Sequence, residues 1–314
     1  MKRTWYRWLL RLVPVACLVW WLAIPVISQS GGTPKGEWRS YGADLGNTRY
    51  SSLDQITAAN FKNLEVAWRF KTDNLGPRPE FNLEGTPLMA NGVVYATAGT
   101  RRSVVALDRA TGELIWVHGE REGPRGANGP RQLSGQGLAY CTDGREERIL
   151  YVTPGYRLIA LDAKNGTPVT GFGTNGAVDL KLDDDQEIDL VTGEVGLHAT
   201  PMVAKDVVVD GAAHRPGGVP RGRTNVKGFV RGFDVRTGKR LWIFHTIPMI
   251  GEFGNDTWEK DSWKYTGTRA SGARWASMKI SGSYTCRSSC RRATFLAAIA
   301  QEPVCLEKPS SLSI

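Results

Sequence analysis

The chain has 314 residues, 41% of them hydrophobic, with 11 Trp and a formal net charge of +9. That is enough apolar material for a packed core, which excludes a globally disordered chain. The positive charge gathers at the two ends, and the middle shows no basic stripe interleaved with aromatics, which argues against nucleic-acid binding.

The N-terminus opens with Lys2, Arg3, Arg7 and Arg11 and no acid, then an apolar stretch from Leu12 to Ile27, then small residues. Arg11 and Pro14 make it short for a spanning helix. Residues 1–30 are therefore expected to be a secretory signal cut near Ser28 or Ser30, with an uncleaved anchor as the alternative. Either way the body is expected to be exported to the periplasm. Cysteine usage is uneven: Cys17 lies in this leader, Cys141 is alone in the body, and Cys286, Cys290 and Cys305 crowd the C-terminal end. A body stapled by disulfides would carry more.

Residues 31–281 are built on a repeat. "LDRATGELIW" at 107–116, "LDAKNGTPVT" at 161–170 and "FDVRTGKRLW" at 233–242 share one skeleton. A short apolar strand ends on Asp108, Asp162 or Asp234. Thr111, Asn165 or Thr237 follows at the third position, then Gly112, Gly166 or Gly238. Trp116 and Trp242 come eight residues after their Asp, and the middle copy has Thr170 instead. Asp and Thr side chains hold a tight turn by bonding the local backbone, and Gly supplies positive φ. The Trp offers a flat face to a neighbouring sheet. "AWRFKT" from Ala67 reads as a further Trp-bearing strand without its turn. A second repeated element, "EGTPLMANGVVYATAG" at 84–99 and "HATPMVAKDVVVDGAA" at 198–213, places Thr-Pro before a strand, a turn and a β-branched strand. The fold expected is all-β, a β-propeller with tryptophan-docking repeats.

The run Asp183, Asp184, Asp185 with Glu187 and Asp189 lacks the Gly and spacing of a calcium loop and reads as solvated. His198 and His214 border the repeated strands without a ligand pattern. Cys286 and Cys290 lack the partners of a zinc site.

Residues 37–72 and the segments "VKGFVRGFDVRTGKRLWIFHTIP" and "GEFGNDTWEKDSWKYTG" resemble the pyrroloquinoline quinone (PQQ)-dependent dehydrogenases, nearest their glucose-dehydrogenase-like branch. The resemblance implies an eight-bladed propeller with PQQ and Ca²⁺ at its hub. It implies oxidation of a sugar or alcohol and electron transfer to a quinone or cytochrome. It places Glu84 as an acid contacting the cofactor, Thr153 as a hub-facing hydroxyl and Trp275 as the aromatic floor under the quinone. Gln136 stands where the family has an Arg that would pair with a PQQ carboxylate, a charge Gln does not carry. Cys141 stands where Trp or His is usual, and the paired cysteines of the alcohol-oxidising branch are absent.

Residues 282–314 show no blade pattern. Read in another frame, one consistent choice of wobble bases restores alternating strands, a Gly-rich turn and an "IVALD" that would open another repeat. The tail is therefore expected to be out of frame. About half of an eight-bladed ring is then encoded, and the catalytic Asp and most Ca²⁺ ligands of the family fall downstream. Activity is expected to be lost in this chain. Two alternatives stay open: a non-enzymatic scaffold of the outer-membrane assembly type, and a smaller enzyme completed by oligomerisation.

Overall fold

The computed structural model describes residues 36–44, 46–77, 85–130, 137–197, 200–214 and 226–266, together with the backbone of strands at 275–280, 283–288 and 296–299. The leader, Glu84 and Gln136 lie outside the described residues. Among the described residues, helix is confined to one α-turn at Gly123–Ala127 and short 3₁₀ turns.

Strands form where β-branched runs are punctuated by turns. β1 (Leu88–Ala90), β2 (Val93–Ala98), β3 (Ser103–Asp108) and β4 (Leu114–His118) make the first antiparallel meander. β5 (Ala139–Thr142), β6 (Glu147–Val152), β7 (Arg157–Asp162) and β8 (Ala177–Asp179) make the second. In the third, β10 (Met202–Ala204), β11 (Val207–His214), β12 (Val230–Asp234) and β13 (Arg240–Phe244) follow the same order, and β9 (Val195–Leu197) extends the far end of β11. β14 (Trp275–Ile280), β15 (Ser283–Ser288) and β16 (Leu296–Ile299) form a three-stranded sheet. Consecutive meanders of this kind are propeller blades. The fourth sheet draws two of its strands from the segment in which the sequence shows no blade pattern.

The Asp turns form as the repeat predicts. Asp108 Oδ1 accepts from the Ala110 and Thr111 amides and the Thr111 hydroxyl. Asp234 does the same with Arg236 and Thr237. Asp162 accepts from Lys164 and Asn165. The glycines that follow have φ of +72°, +72° and +73°, a region L side chains avoid.

Each turn receives an aromatic from the segment that precedes its blade. The Trp68 indole donates to Arg109 O at 3.1 Å and covers Gly112. The Trp116 indole donates to Ala163 O at 3.0 Å and covers Gly166. Arg109 and Ala163 are the same position of the repeat, one residue after the Asp. The second blade lost its Trp at Thr170, and buried Phe172 with Val178 fills the space over Gly238 instead. Trp242 packs against Gly232 of its own sheet, beside the core of Met202, Val207 and Val230, and its buried Nε1 has no hydrogen-bond partner among the described residues. "AWRFKT" departs from expectation in part: its Trp docks as a fourth-strand Trp does, but residues 67–72 pair with no strand among the described residues.

Buried side chains of adjacent blades merge into continuous cores. Tyr95, Trp116, Ile149 and Leu161 lie in one, and Leu150, Leu158, Val208 and Phe233 in another. β5 and β10, the first strands of two neighbouring blades, pack against each other. First strands therefore line the inner side.

Candidate functional site

In an antiparallel meander, the start of the first strand, the turn between the second and third, and the exit of the fourth share one end. In the first blade these are residues 85–87, Gly99–Arg102 and Gly119 onward. In the second they are Gly137–Leu138, Thr153–Tyr156 and Leu180 onward. This end collects the loops on which a rigid scaffold presents chemistry.

Glu84 and Gln136 each lie directly before a glycine that leads into a first strand. His198 holds the place of Glu84 in the parallel element, since Glu84-Gly-Thr-Pro and His198-Ala-Thr-Pro align. All three lie outside the described residues. Gly137 sits so close to Thr200 that an added Cβ would be 2.8 Å from the Thr200 hydroxyl, with Tyr41 at 3.4 Å. Two first-strand entries thus meet at this end. Trp275 begins β14, a first strand of its sheet.

Thr153 is fully buried in the turn between β6 and β7. Its hydroxyl donates to Glu122 Oε1 at 2.7 Å and accepts from the Arg157 amide at 3.1 Å. Glu122 Oε2 accepts from the Gly155 amide at 2.6 Å. Thr153 thus offers no exposed atom to a ligand. It holds a buried carboxylate that pins the turn of one blade to the connection from the other. Arg125 completes the joint: it donates to Gly155 O at 2.7 Å and grips Asp179 with two bonds, the bidentate geometry that makes such pairs strong. Glu122 carried no motif in the sequence, and only its place before a Gly-Pro turn could have drawn attention to it.

Beside this joint is a cleft of about 340 Å³ lined by Thr100, Arg101, Glu120, Arg121, Glu122 and Pro154 among others. Its rim mixes both charges, and Glu120 is taken by His118 Nε2 at 3.0 Å. It has room for a polar ligand but shows no nucleophile–base pair.

Deeper, between the second and third blades, Arg231 lies buried with Asp184, Asp210 and Tyr156. Arg231 Nη1 is 3.1 Å from Asp184 Oδ1, Nη2 donates to Tyr156 Oη and Leu180 O, and Tyr156 donates to Asp210 at 2.9 Å. One carboxylate pairs with the guanidinium, and the other is linked to it through the Tyr156 hydroxyl. Burial, opposed by Arg231, pushes the Asp184 carboxyl up to about 6, and Asp210 is raised for the same reason. The solvated reading of the acid run holds for Asp183 and Asp185, which pair with Arg240 at the surface. It fails for Asp184, which turns inward because Arg231 is there.

Burial pushes the Cys141 thiol up to about 11, which disfavours the thiolate, the reactive form. Among the described residues no group of three or more His, Cys, Asp or Glu could hold a metal ion.

A family described as "Glucose/ethanol/alcohol dehydrogenase, beta-propeller domain" (PQQ) matches residues 38–281. The dehydrogenase subunit of a quinone alcohol dehydrogenase from Gluconobacter oxydans is 36% identical over 224 residues, 70% of this chain and 26% of the relative. A quinoprotein glucose dehydrogenase from the same organism is 29% identical over 231 residues, 67% of this chain and 27% of the relative. The crystal structure of a quinohemoprotein alcohol dehydrogenase from Comamonas testosteroni superposes with a TM-score of 0.61 at 22% identity, over 82% of this chain and 36% of that one. The chain thus spans about a quarter of the length of the curated relatives it matches.

Proposed function

Because the chain belongs to the β-propeller family of PQQ-dependent glucose, ethanol and alcohol dehydrogenases, we propose that it is the N-terminal part of an exported enzyme oxidising a sugar or alcohol. The electrons would pass to a quinone or cytochrome. The observation that supports this reading is the close approach of two first-strand entries, Gly137 beside Thr200, with β5 packed against β10.

When bound, PQQ supplies a two-electron acceptor that turns an alcohol carbon into a carbonyl. On this chain Glu84 would accept a hydrogen bond from the cofactor's ring. Gln136 would donate from its amide to a cofactor carboxylate, without a countercharge. Trp275 would offer an aromatic face. Thr153 does not fit a cofactor contact and is assigned to the interblade joint. The carboxylate that takes the substrate proton, and most of the oxygen ligands of Ca²⁺, are assigned downstream of Gly282. The reading therefore holds this 314-residue chain to be without turnover.

The test is equilibrium dialysis of PQQ against the exported chain, beside Glu84→Ala. Binding weakened by the substitution supports the reading. Absence of any PQQ binding opposes it.

A further inference from the structure

Residues 64–71 hold the place of a fourth strand without a sheet. Trp68 stands to the first blade as Trp116 stands to the second, donating to the residue after the turn Asp and covering the turn Gly. Trp116 belongs to β4, the outer strand of a complete blade. Trp68 has no such blade: residues 65–71 make no backbone–backbone hydrogen bond among the described residues. Leu64 and Val66 are exposed, at 53% and 64%, while Trp68 and Phe70 on the same alternation pack onto the first blade. A row of unpaired amides and carbonyls beside exposed apolar side chains is a template for another strand.

The opposite end of the blade series has the converse deficit. β14, β15 and β16 are the first three strands of a meander, and β16 has no partner on its outer side among the described residues. In all three preceding sheets the third strand is covered by a fourth. Among the described residues of one chain the two deficits are not joined.

We propose that a second copy of this chain joins them: residues 64–71 of one copy add antiparallel to β16 of the other, and the reciprocal contact closes the assembly as a dimer. The two interfaces are identical and head-to-tail, the arrangement that forms a ring when its rotation closes. The occupant is a second copy because a Trp-bearing strand and a three-stranded sheet are complementary halves of one blade, and each copy carries both. Each chain contributes three full blades and two part-blades, so two chains make eight. The hub would then hold two identical half-sites, and the groups assigned downstream would still be missing, so association and turnover are separate readouts.

The test is light scattering on the exported, purified chain at micromolar concentration, beside Val66→Pro and Ala67→Pro. In a paired strand, alternate amides face the partner, so one of these adjacent residues must donate across the interface, and proline removes that donor. We expect twice the chain mass for the parent and a halving of mass for one of the two variants, with an unchanged far-UV spectrum. Because a variant could unfold, the unmodified dimer is also challenged with excess peptide of residues 61–72. We expect it to dissociate, and a scrambled peptide to do nothing. A monomeric parent, open-ended assemblies, or a dimer indifferent to both prolines and to the peptide would overturn the proposal. A monomer would instead mark residues 64–71 as awaiting a later segment of a longer chain.

Discussion

The Trp116 indole lies on Gly166 of the next blade so closely that a Cβ built there would come within 2.5 Å of the ring. The ring is also 5.9 Å from that of Tyr95, and both residues donate to Ala163 O. One Trp thus ties two sheets through area, a hydrogen bond and a glycine that cannot be enlarged. Gly166→Ala combines this clash with strain at φ +72° and should cost about 2–4 kcal/mol. Gly144→Ala, at φ +89° but with nothing within 4 Å of the added atom, should cost about 1 kcal/mol. Trp116→Ala should cost about 3–5 kcal/mol. Urea unfolding ranks the three, and equal costs for the two glycine variants would contradict the docking account.

Asp234 closes its turn with three hydrogen bonds to Arg236 and Thr237. Asp234→Ala strands two amides and should cost about 1–2 kcal/mol, the scale of losing a helix cap. Asp234→Asn keeps the accepting oxygen and should recover most of it. Thermal unfolding of both variants decides, and an Asn variant no better than Ala would show that the negative charge, not the acceptor, holds the turn.

Stability should fall as pH rises from about 4 through 6. The Asp184 carboxyl, raised by burial to about 6, keeps a proton in the folded state that the unfolded chain releases near its ordinary 3.8. The folded state is therefore favoured at low pH, and that advantage is lost as pH climbs through the folded value. The groups facing Asp184 are Arg231, Gln186, Asp210 and Asp185. Asp210 is raised in the same direction. The loss attributable to Asp184 is on the order of 3 kcal/mol. Denaturation from pH 4 to 7.5 measures it, and Asp184→Asn should flatten the profile. A parent equally stable across this range would contradict the buried-pair reading.

PQQ binding should tighten on Gln136→Arg. A guanidinium offers two charge-assisted bonds to a carboxylate where the amide offers one neutral donor. The gain should be about tenfold, or 1.4 kcal/mol. Dialysis at two salt concentrations checks it, since an ion pair weakens with salt. Unchanged affinity would remove Gln136 from the site.

The blades were legible because their signal is local. Asp, Thr or Asn, and Gly within five residues make a turn by contacts among themselves, so Asp108, Asp162 and Asp234 act where the repeat puts them. The Trp-bearing segment from Ala67 was legible as the repeat without its turn, but the docking of Trp68 on Gly112 and its missing sheet were not, since both are long-range facts. Phe172 in place of Trp escaped the repeat because it reaches Gly238 from an altered loop, two residues past the expected position. Asp184 was hidden among acids, and what draws it inward is Arg231 on another strand. Glu122 and Thr153 meet from loops that only the joining of two blades brings together. A family resemblance placed Thr153 at the hub, and its hydrogen bonds place it in a joint.

The measurement closest to the central claim is dye-linked turnover of two exported proteins, the 314-residue chain and the version re-read in the alternative frame from Gly282, each with PQQ, Ca²⁺ and a panel of aldoses and alcohols. The loss of a general base alone is worth about 10²–10⁴ in rate, and the only acids after Gly282 are Glu302 and Glu307. The account predicts no PQQ-dependent reduction by the chain as it stands and reduction by the re-read version. Turnover by the 314-residue chain would contradict it.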